Sequence, residues 1–236
     1  MRIVYMGTPD FALPALKALA GSGNEIALVV TKADRPQNRG KKMQSCPVKL
    51  AALEMGLPVE SPEKLKGNDE FINKIRDIAP DLIVVAAYGK ILPKEILDIP
   101  PLGCVNIHGS LLPKYRGAAP IQRAVINGES ITGVTLMYMA EGMDTGDMIA
   151  KRETKVGEKT ASELFIELAV AGAELLTEYL PLIENGTAPR EKQNDAEATL
   201  APMVYKEQLD FTRSSHELSC LIRGTESSCE DLVKSS

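Results

Sequence analysis

The sequence predicts an α/β fold, a mostly parallel sheet with helices on both faces. Three stretches predict it. Residues 2–30 read as strand, turn, helix and strand, the opening unit of a parallel sheet. Residues 82–87 are one unbroken apolar run, as in a strand buried on both faces. Residues 103–108 read as a further strand. It breaks at Gly109 into a loop that Pro113 keeps out of a helix.

Taken in order, residues 2–6 are a buried strand, and Gly7-Thr8-Pro9-Asp10 is a turn in which Thr8 or Asp10 suits a helix cap. A helix over 11–20 follows, with Pro14 in its first turn, and Gly21-Ser22-Gly23 ends it. Residues 25–30 are the second strand. A dinucleotide site would want G-x-G-x-x-G in the first turn, and only Gly7 is present. That disfavours a nicotinamide oxidoreductase and leaves the fold Rossmann-like.

Residues 31–48 form a loop rich in proline, glycine and base, where Lys32, Arg35, Arg39, Lys41, Lys42 and Lys49 face only Asp34 nearby. It is either a solvated mobile loop or a surface for backbone phosphates. A helix over 48–55 ends at Gly56, 58–60 is a short strand, and a helix over 69–78 stops before Pro80. The buried run of 82–87 leads into a loop at 88–93. Residues 118–126 are a helix with Pro120 in its first turn and Asn127-Gly128 at its end. Residues 133–139 alternate and read as a strand with one face more exposed; 148–156 read as an antiparallel edge strand. Residues 162–182 are an amphipathic helix, Leu164, Leu168, Leu175 and Leu176 at helical spacing, that should cover one sheet face. After a polar stretch, 214–222 is a short helix capped by Ser214 or Ser215.

The 236 residues suffice for one sizeable domain with a buried core, and 44% hydrophobic with 25% charged residues is ordinary for a soluble globular protein. No apolar run is long enough to cross a membrane, and Met1-Arg2 leads straight into a strand without a signal peptide. Cys46, Cys104, Cys220 and Cys229 form no C-x-x-C pair and no cluster with the two histidines. A reduced cytoplasmic setting and no metal are expected. The formal charge of −5 argues against nucleic-acid binding by the chain as a whole, though not by a local basic patch.

Asn106 and His108 are two apart, so on a strand they share a face. They put an amide and an imidazole side by side at a strand end, where open α/β sheets bind ligands. Asp144 sits in a second glycine-rich loop, Glu141-Gly142-Met143-Asp144-Thr145-Gly146-Asp147. The plainer alternatives are one hydrogen-bonded structural histidine and an Asp that forms a turn.

Asn106-x-His108, then Ser110-Leu111-Leu112-Pro113-x-Tyr115-Arg116-Gly117, then Asp144-Thr145-Gly146, resemble the formyltransferase family that uses 10-formyltetrahydrofolate. Met6-Gly7-Thr8-Pro9-Asp10-Phe11-Ala12 and Asp34-Arg35-Pro36 leading into Arg39-Gly40-Lys41-Lys42 resemble its branch that formylates methionyl-tRNA. The similarity runs from Arg2 to about Arg223. It implies formyl transfer from 10-formyltetrahydrofolate, a co-substrate, to the amino group of methionyl-tRNA for translation initiation, by a monomer. By matching residues it implies Asn106, His108 and Asp144 as catalytic. It implies Ser110, Leu111, Leu112, Pro113, Tyr88, Gly89 and Ile91 at the folate, and Arg39 with Arg35, Lys41 and Lys42 at the tRNA. Acyl transfer needs a stabilised oxyanion and a route for the amine proton. Asn106 and a protonated His108 suit the first; Asp144, holding the imidazole, suits the second. No side-chain nucleophile is required. Arg116 is open between a structural role and meeting a carboxylate or phosphate.

Sister activities on glycinamide ribonucleotide or sugar nucleotides fit the basic loop and the opening motif less well. An idle folate- or tRNA-binding module is the alternative from another class. The family continues with a small β-barrel domain that helps hold tRNA. After Arg223-Gly224 it typically reads Leu-Asn-Pro, whereas this chain reads Thr225-Glu226-Ser227. A shifted reading frame would account for this, a naturally divergent tail being the alternative. The expected organisation is a catalytic domain over 1–184, a linker and the start of the lost domain over 185–224, and a divergent, disordered tail over 225–236, with the barrel absent.

Overall fold

The structure, a computed structural model, describes residues 1–37, 42–205 and 210–233; of the side chains of 35–44 and 227–236 nothing is described. Seven strands form the main sheet: β1 (Arg2–Gly7), β2 (Glu25–Val30), β5 (Val59–Glu60), β6 (Leu82–Ala86), β7 (Cys104–His108), β8 (Ile131–Tyr138) and β9 (Met148–Lys155). Their order is β5-β2-β1-β6-β7-β8-β9. The first five are parallel; β8 and β9 run antiparallel. The chain moves outward from β1 to β2 and β5, then returns to the other side of β1 for β6 and β7. The strand order therefore reverses between β1 and β6, a switch point of the kind beside which open α/β sheets bind ligands.

The strand period of two divides the core. Ile3, Tyr5, Val84, Val105 and Ile107 face one side, against Leu16 and Leu19 of α1 (Leu13–Ala20) and Leu164, Leu168, Leu175 and Leu176 of α6 (Ala161–Glu184). Val4, Met6, Ile83, Val85 and Cys104 face the other, against Phe71, Ile72 and Ile75 of α3 (Asp69–Ile78) and Ile96 of α4 (Lys94–Leu97). Helices thus cover both faces. Helix α6 starts in a capping box, where Thr160 accepts from the Glu163 N–H and Glu163 returns the bond. Gly172 lets it lie directly on the sheet, since a Cβ there would run into Ile107 and Val134. The longest helix is 24 residues, and no helix among the described residues is long and apolar enough to cross a membrane.

Four expectations change. The 31–48 stretch is not loop throughout: β3 (Arg35–Gln37) pairs antiparallel with β4 (Lys42–Gln44), and α2 (Pro47–Glu54) follows. Strand β8 has no exposed face. Beyond Ile131 it is buried residue by residue, because α6 covers one side and the 110–112 loop the other. Alternation in its sequence reflects Thr132 and Thr135 buried as polar groups, not solvent. Helix α4 is a single turn and too short to leave a periodic signal. Finally, α7 (Ser215–Val233) runs past Ile222 through much of the tail expected to be disordered. Ser214 and Glu217 cap it reciprocally, Gly224 packs on Ile126 of α5 (Pro120–Ile126), the Thr225 hydroxyl donates to the Leu221 carbonyl, and no proline interrupts it.

Candidate active site

The carboxyl end of β7 makes the centre of the site. Cys104, Asn106 and His108 share one face by strand alternation, and the last two emerge next to the β1/β6 crevice. His108 is 5% exposed and Asn106 9%. The His108 Nε2 lies 2.9 Å from the Tyr115 carbonyl oxygen. A carbonyl only accepts, so Nε2 carries a proton, and the tautomer follows from that bond. Nδ1 is then the nitrogen free to gain or lose a proton. It faces Asp144, with Oδ2 at 3.6 Å. Asp144 Oδ2 also accepts from the Gly117 N–H at 2.9 Å. Among the described residues the Asn106 amide has no hydrogen-bond partner, so its N–H groups are free for a ligand.

Two loops bring these groups together. The first, after β7, is fixed by Thr135 on β8, whose hydroxyl donates to the Ser110 carbonyl at 2.6 Å and accepts from the Leu112 N–H at 3.1 Å. The Ser110 hydroxyl donates to the Lys114 carbonyl at 2.7 Å, and the Leu112–Pro113 peptide is cis. The second loop, after β8, carries Asp144 in the left-handed region at φ 53°. There Gly146 passes so close to the Tyr138 carbonyl that no Cβ fits. Gln193 donates to the carbonyls of Asp144 and Gly146 at 2.7 and 2.8 Å. Arg116 is buried and donates to the Gln193 side-chain oxygen from Nε and Nη2, and from Nη2 to Asp195 at 2.7 Å. This settles Arg116 as a brace within the fold.

The structure brings Asn106, His108 and Asp144 together as the sequence suggested. Of the residues expected at a folate, Leu112 packs inward against Met137 and Met148, and Tyr88 lies in the core at 1% exposure. Any role of these two in the cleft falls to their backbone. Burial pushes the Tyr88 hydroxyl, which has no hydrogen-bond partner among the described residues, up to about 12. Leu111 lies against Gly133, Pro113 is half-buried, and Ile91 is 78% exposed. Gly89 sits at φ 74° beside the Lys32 ammonium. The Tyr88 carbonyl accepts from the Thr8 hydroxyl, tying this loop to the end of β1. Arg39 and Lys41 lie outside the described residues; Arg35 and Lys42 stand on the β3–β4 hairpin, which follows the carboxyl end of β2. Sequence reasoning missed Thr135, Gln193 and Thr199, whose signal is only a polar residue in an unremarkable context.

An amide with free N–H groups beside an imidazole–carboxylate pair is able to donate to an oxyanion and to move a proton. Burial pushes the nearby Cys104 thiol up to about 12, so it offers no thiolate nucleophile at neutral pH. Among the described residues no group of three or more His, Cys, Asp or Glu side chains could hold a metal ion.

Residues 1–180 match the Formyl transferase family. The methionyl-tRNA formyltransferase of Clostridioides difficile (strain 630) is 54% identical over 227 residues, 95% of this chain and 73% of that protein. Among solved structures, an N-formyltransferase from Helicobacter canadensis, in complex with folinic acid and dTDP-3-aminofucose, superposes with TM-score 0.70 at 20% identity. It covers 94% of this chain and 79% of its own. Glycinamide ribonucleotide transformylase 1 from Symbiobacterium toebii gives 0.67 at 19% identity, covering 82% and 93%. The two structures share the fold with this chain; the match over 1–180 and the 54% identity together establish that the chain belongs to the methionyl-tRNA formyltransferase family.

Proposed function

We propose that this protein transfers the formyl group of 10-formyltetrahydrofolate to the amino group of methionyl-tRNA, in the cytoplasm and as a monomer. The observation that carries the reading is the His108 ring held between the Tyr115 carbonyl and Asp144, with the unpartnered Asn106 amide beside it. The methionine amine attacks the formyl carbon, and its lone pair forms the new C–N bond. The carbonyl oxygen becomes an oxyanion, which the Asn106 N–H and the protonated His108 ring stabilise. Asp144 takes up the amine proton through water, and that proton passes to N10 of the folate as the old C–N bond breaks. Tetrahydrofolate leaves neutral at that nitrogen, so the step balances without a side-chain nucleophile or a redox partner.

The folate sits by this reading at the carboxyl ends of β1, β6 and β7, against the 88–91 and 110–113 loops. The tRNA phosphates meet the basic stretch that holds Arg35, Arg39, Lys41 and Lys42 in the sequence. What supports this is that the hairpin leaves the sheet at the same end as His108.

The test is tetrahydrofolate release from 10-formyltetrahydrofolate with methionyl-tRNA and with glycinamide ribonucleotide as separate acceptors. Turnover with the tRNA alone supports the reading. Turnover with the ribonucleotide alone overturns the acceptor, and folate binding without turnover on either points to an idle binding module.

A further inference from the structure

We propose that Gln193 is a positioning residue for this reaction: its side-chain amide holds the Asp144 loop in register with His108, and Arg116 locks that amide in place. The inference rests on the reading of His108 and Asp144 given above.

The geometry leaves the Gln193 amide one orientation. Its oxygen accepts from Arg116 Nε at 3.0 Å and Nη2 at 2.8 Å, and a guanidinium only donates. Its NH2 must therefore point the other way, and it reaches the carbonyls of Asp144 and Gly146. Both amide hydrogens are used, one on each side of the turn that sets the Asp144 carboxylate. That turn needs an external hold, because Asp144 sits at positive φ, a conformation that L residues leave readily. Arg116 is itself held on several sides: buried, bonded to Asp195, and paired through its backbone with 199–201.

The same strap fixes the other partner of His108. The Thr199 hydroxyl accepts from the Tyr115 N–H at 2.9 Å, and the Thr199 carbonyl accepts from the Arg116 N–H at 2.8 Å. Ala201 donates to the Arg116 carbonyl at 2.7 Å and accepts from Ala119 at 3.1 Å. At its start Glu191 pairs with Met148, the first residue of β9. Residues 191–201 thus tie the loop whose Tyr115 carbonyl meets Nε2 to the loop whose Asp144 carboxylate meets Nδ1. This segment lies beyond the 1–180 family match and within the stretch the sequence presents as linker. It is a working wall of the site.

The test uses the full chain with Gln193→Met, which keeps the length but loses both donors, and Gln193→Glu, which keeps the pairing with Arg116 and loses the donors. A misplacement of the loop by about 1 Å lowers kcat on the order of tenfold to a hundredfold, with KM for both substrates within about twofold. In an Asp144→Asn background the Gln193 change adds nothing, since its effect runs through Asp144. The chain has two histidines, so the His108 ring nitrogens are assignable by NMR against His216. Both Gln193 variants shift the His108 signals as Asp144→Asn does and leave those of His216 in place. Should Gln193→Met fail to fold, Gln193→Glu carries the test. Unmoved His108 signals, kcat within twofold of the parent, or an equal further loss in the Asp144→Asn background overturns the brace. If Asp144→Asn itself keeps the parent's rate, the underlying reading of the site fails and the brace falls with it.

Discussion

Replacing Thr135 with valine removes a hydroxyl and nothing else of comparable size. Thr135, Ser110 and Leu112 are all buried beyond the reach of water. The hydroxyl donates to the Ser110 carbonyl and accepts from the Leu112 N–H, so valine leaves both backbone groups unpaired inside the protein. Each orphaned group costs about 1–3 kcal/mol. Against this, the added methyl contributes at most about 0.8 kcal/mol of burial. The expected net loss is about 1–5 kcal/mol, and at the middle of that range, about 3 kcal/mol, Tm falls on the order of 6–12 °C for a chain of this size. Urea unfolding at neutral pH measures it directly. Thr132 on the same strand is the control: it is 3% exposed and its hydroxyl has no protein partner among the described residues, so Thr132→Val orphans no backbone group and costs less than about 1 kcal/mol. The freed 110–113 loop also raises KM for the folate more than it changes KM for the acceptor. A loss under about 1 kcal/mol for Thr135→Val, or an equal loss for Thr132→Val, refutes the claim that this one hydroxyl anchors the loop.

Asn106→Ala lowers kcat on the order of 10²- to 10³-fold and His108→Ala more, in single-turnover formyl transfer; both within tenfold of the parent removes them from the mechanism. Arg39→Ala raises KM for methionyl-tRNA and leaves folate affinity unchanged by fluorescence titration; equal loss of both counts against the basic hairpin as a tRNA surface. Tyr88 and Tyr115 are both held up at about 12 against an ordinary 10, by burial first and, for Tyr115, by its bond to Glu129. The folded state keeps protons that the unfolded state loses, so their stabilisation is full below pH 10 and falls as pH rises toward 12. Each group adds a slope of about 1.4 kcal/mol per pH unit there, and Tyr88→Phe, seen in urea midpoints from pH 9 to 12, flattens the curve by one proton. Gly146→Ala puts a Cβ into the Tyr138 carbonyl, so the Asp144 loop must move; formyl transfer falls at least tenfold while circular dichroism stays that of the parent.

The sheet was legible because its signals are local. Residues 25–30 and 69–78 fall where the periodicity places them, and the apolar run is buried on both sides over 82–86, while Ala87, expected inside it, is exposed past the strand end. Asn106 and His108 were legible because strand alternation alone puts them on one face. Strand β8 misled because a buried threonine that satisfies two backbone groups looks in sequence like one facing water. The continuation of α7 was hidden because its polar sequence lacks an apolar period, and contacts with α5 hold it instead. Gln193 was illegible for a stronger reason. Its bonds reach 49 and 77 residues back along the chain, and one sequence carries no trace of contacts so distant.

That distance has a consequence for how the protein is made. The sheet is complete once Lys155 is in place, and α6 covers it by Glu184. A growing chain can therefore bury its core before residues 191–201 leave the ribosome. Only then do Thr199 and Gln193 reach Tyr115 and Asp144. For an interval during synthesis the sheet can stand folded with His108 still unclamped, and the clamp closes as a late, separate event.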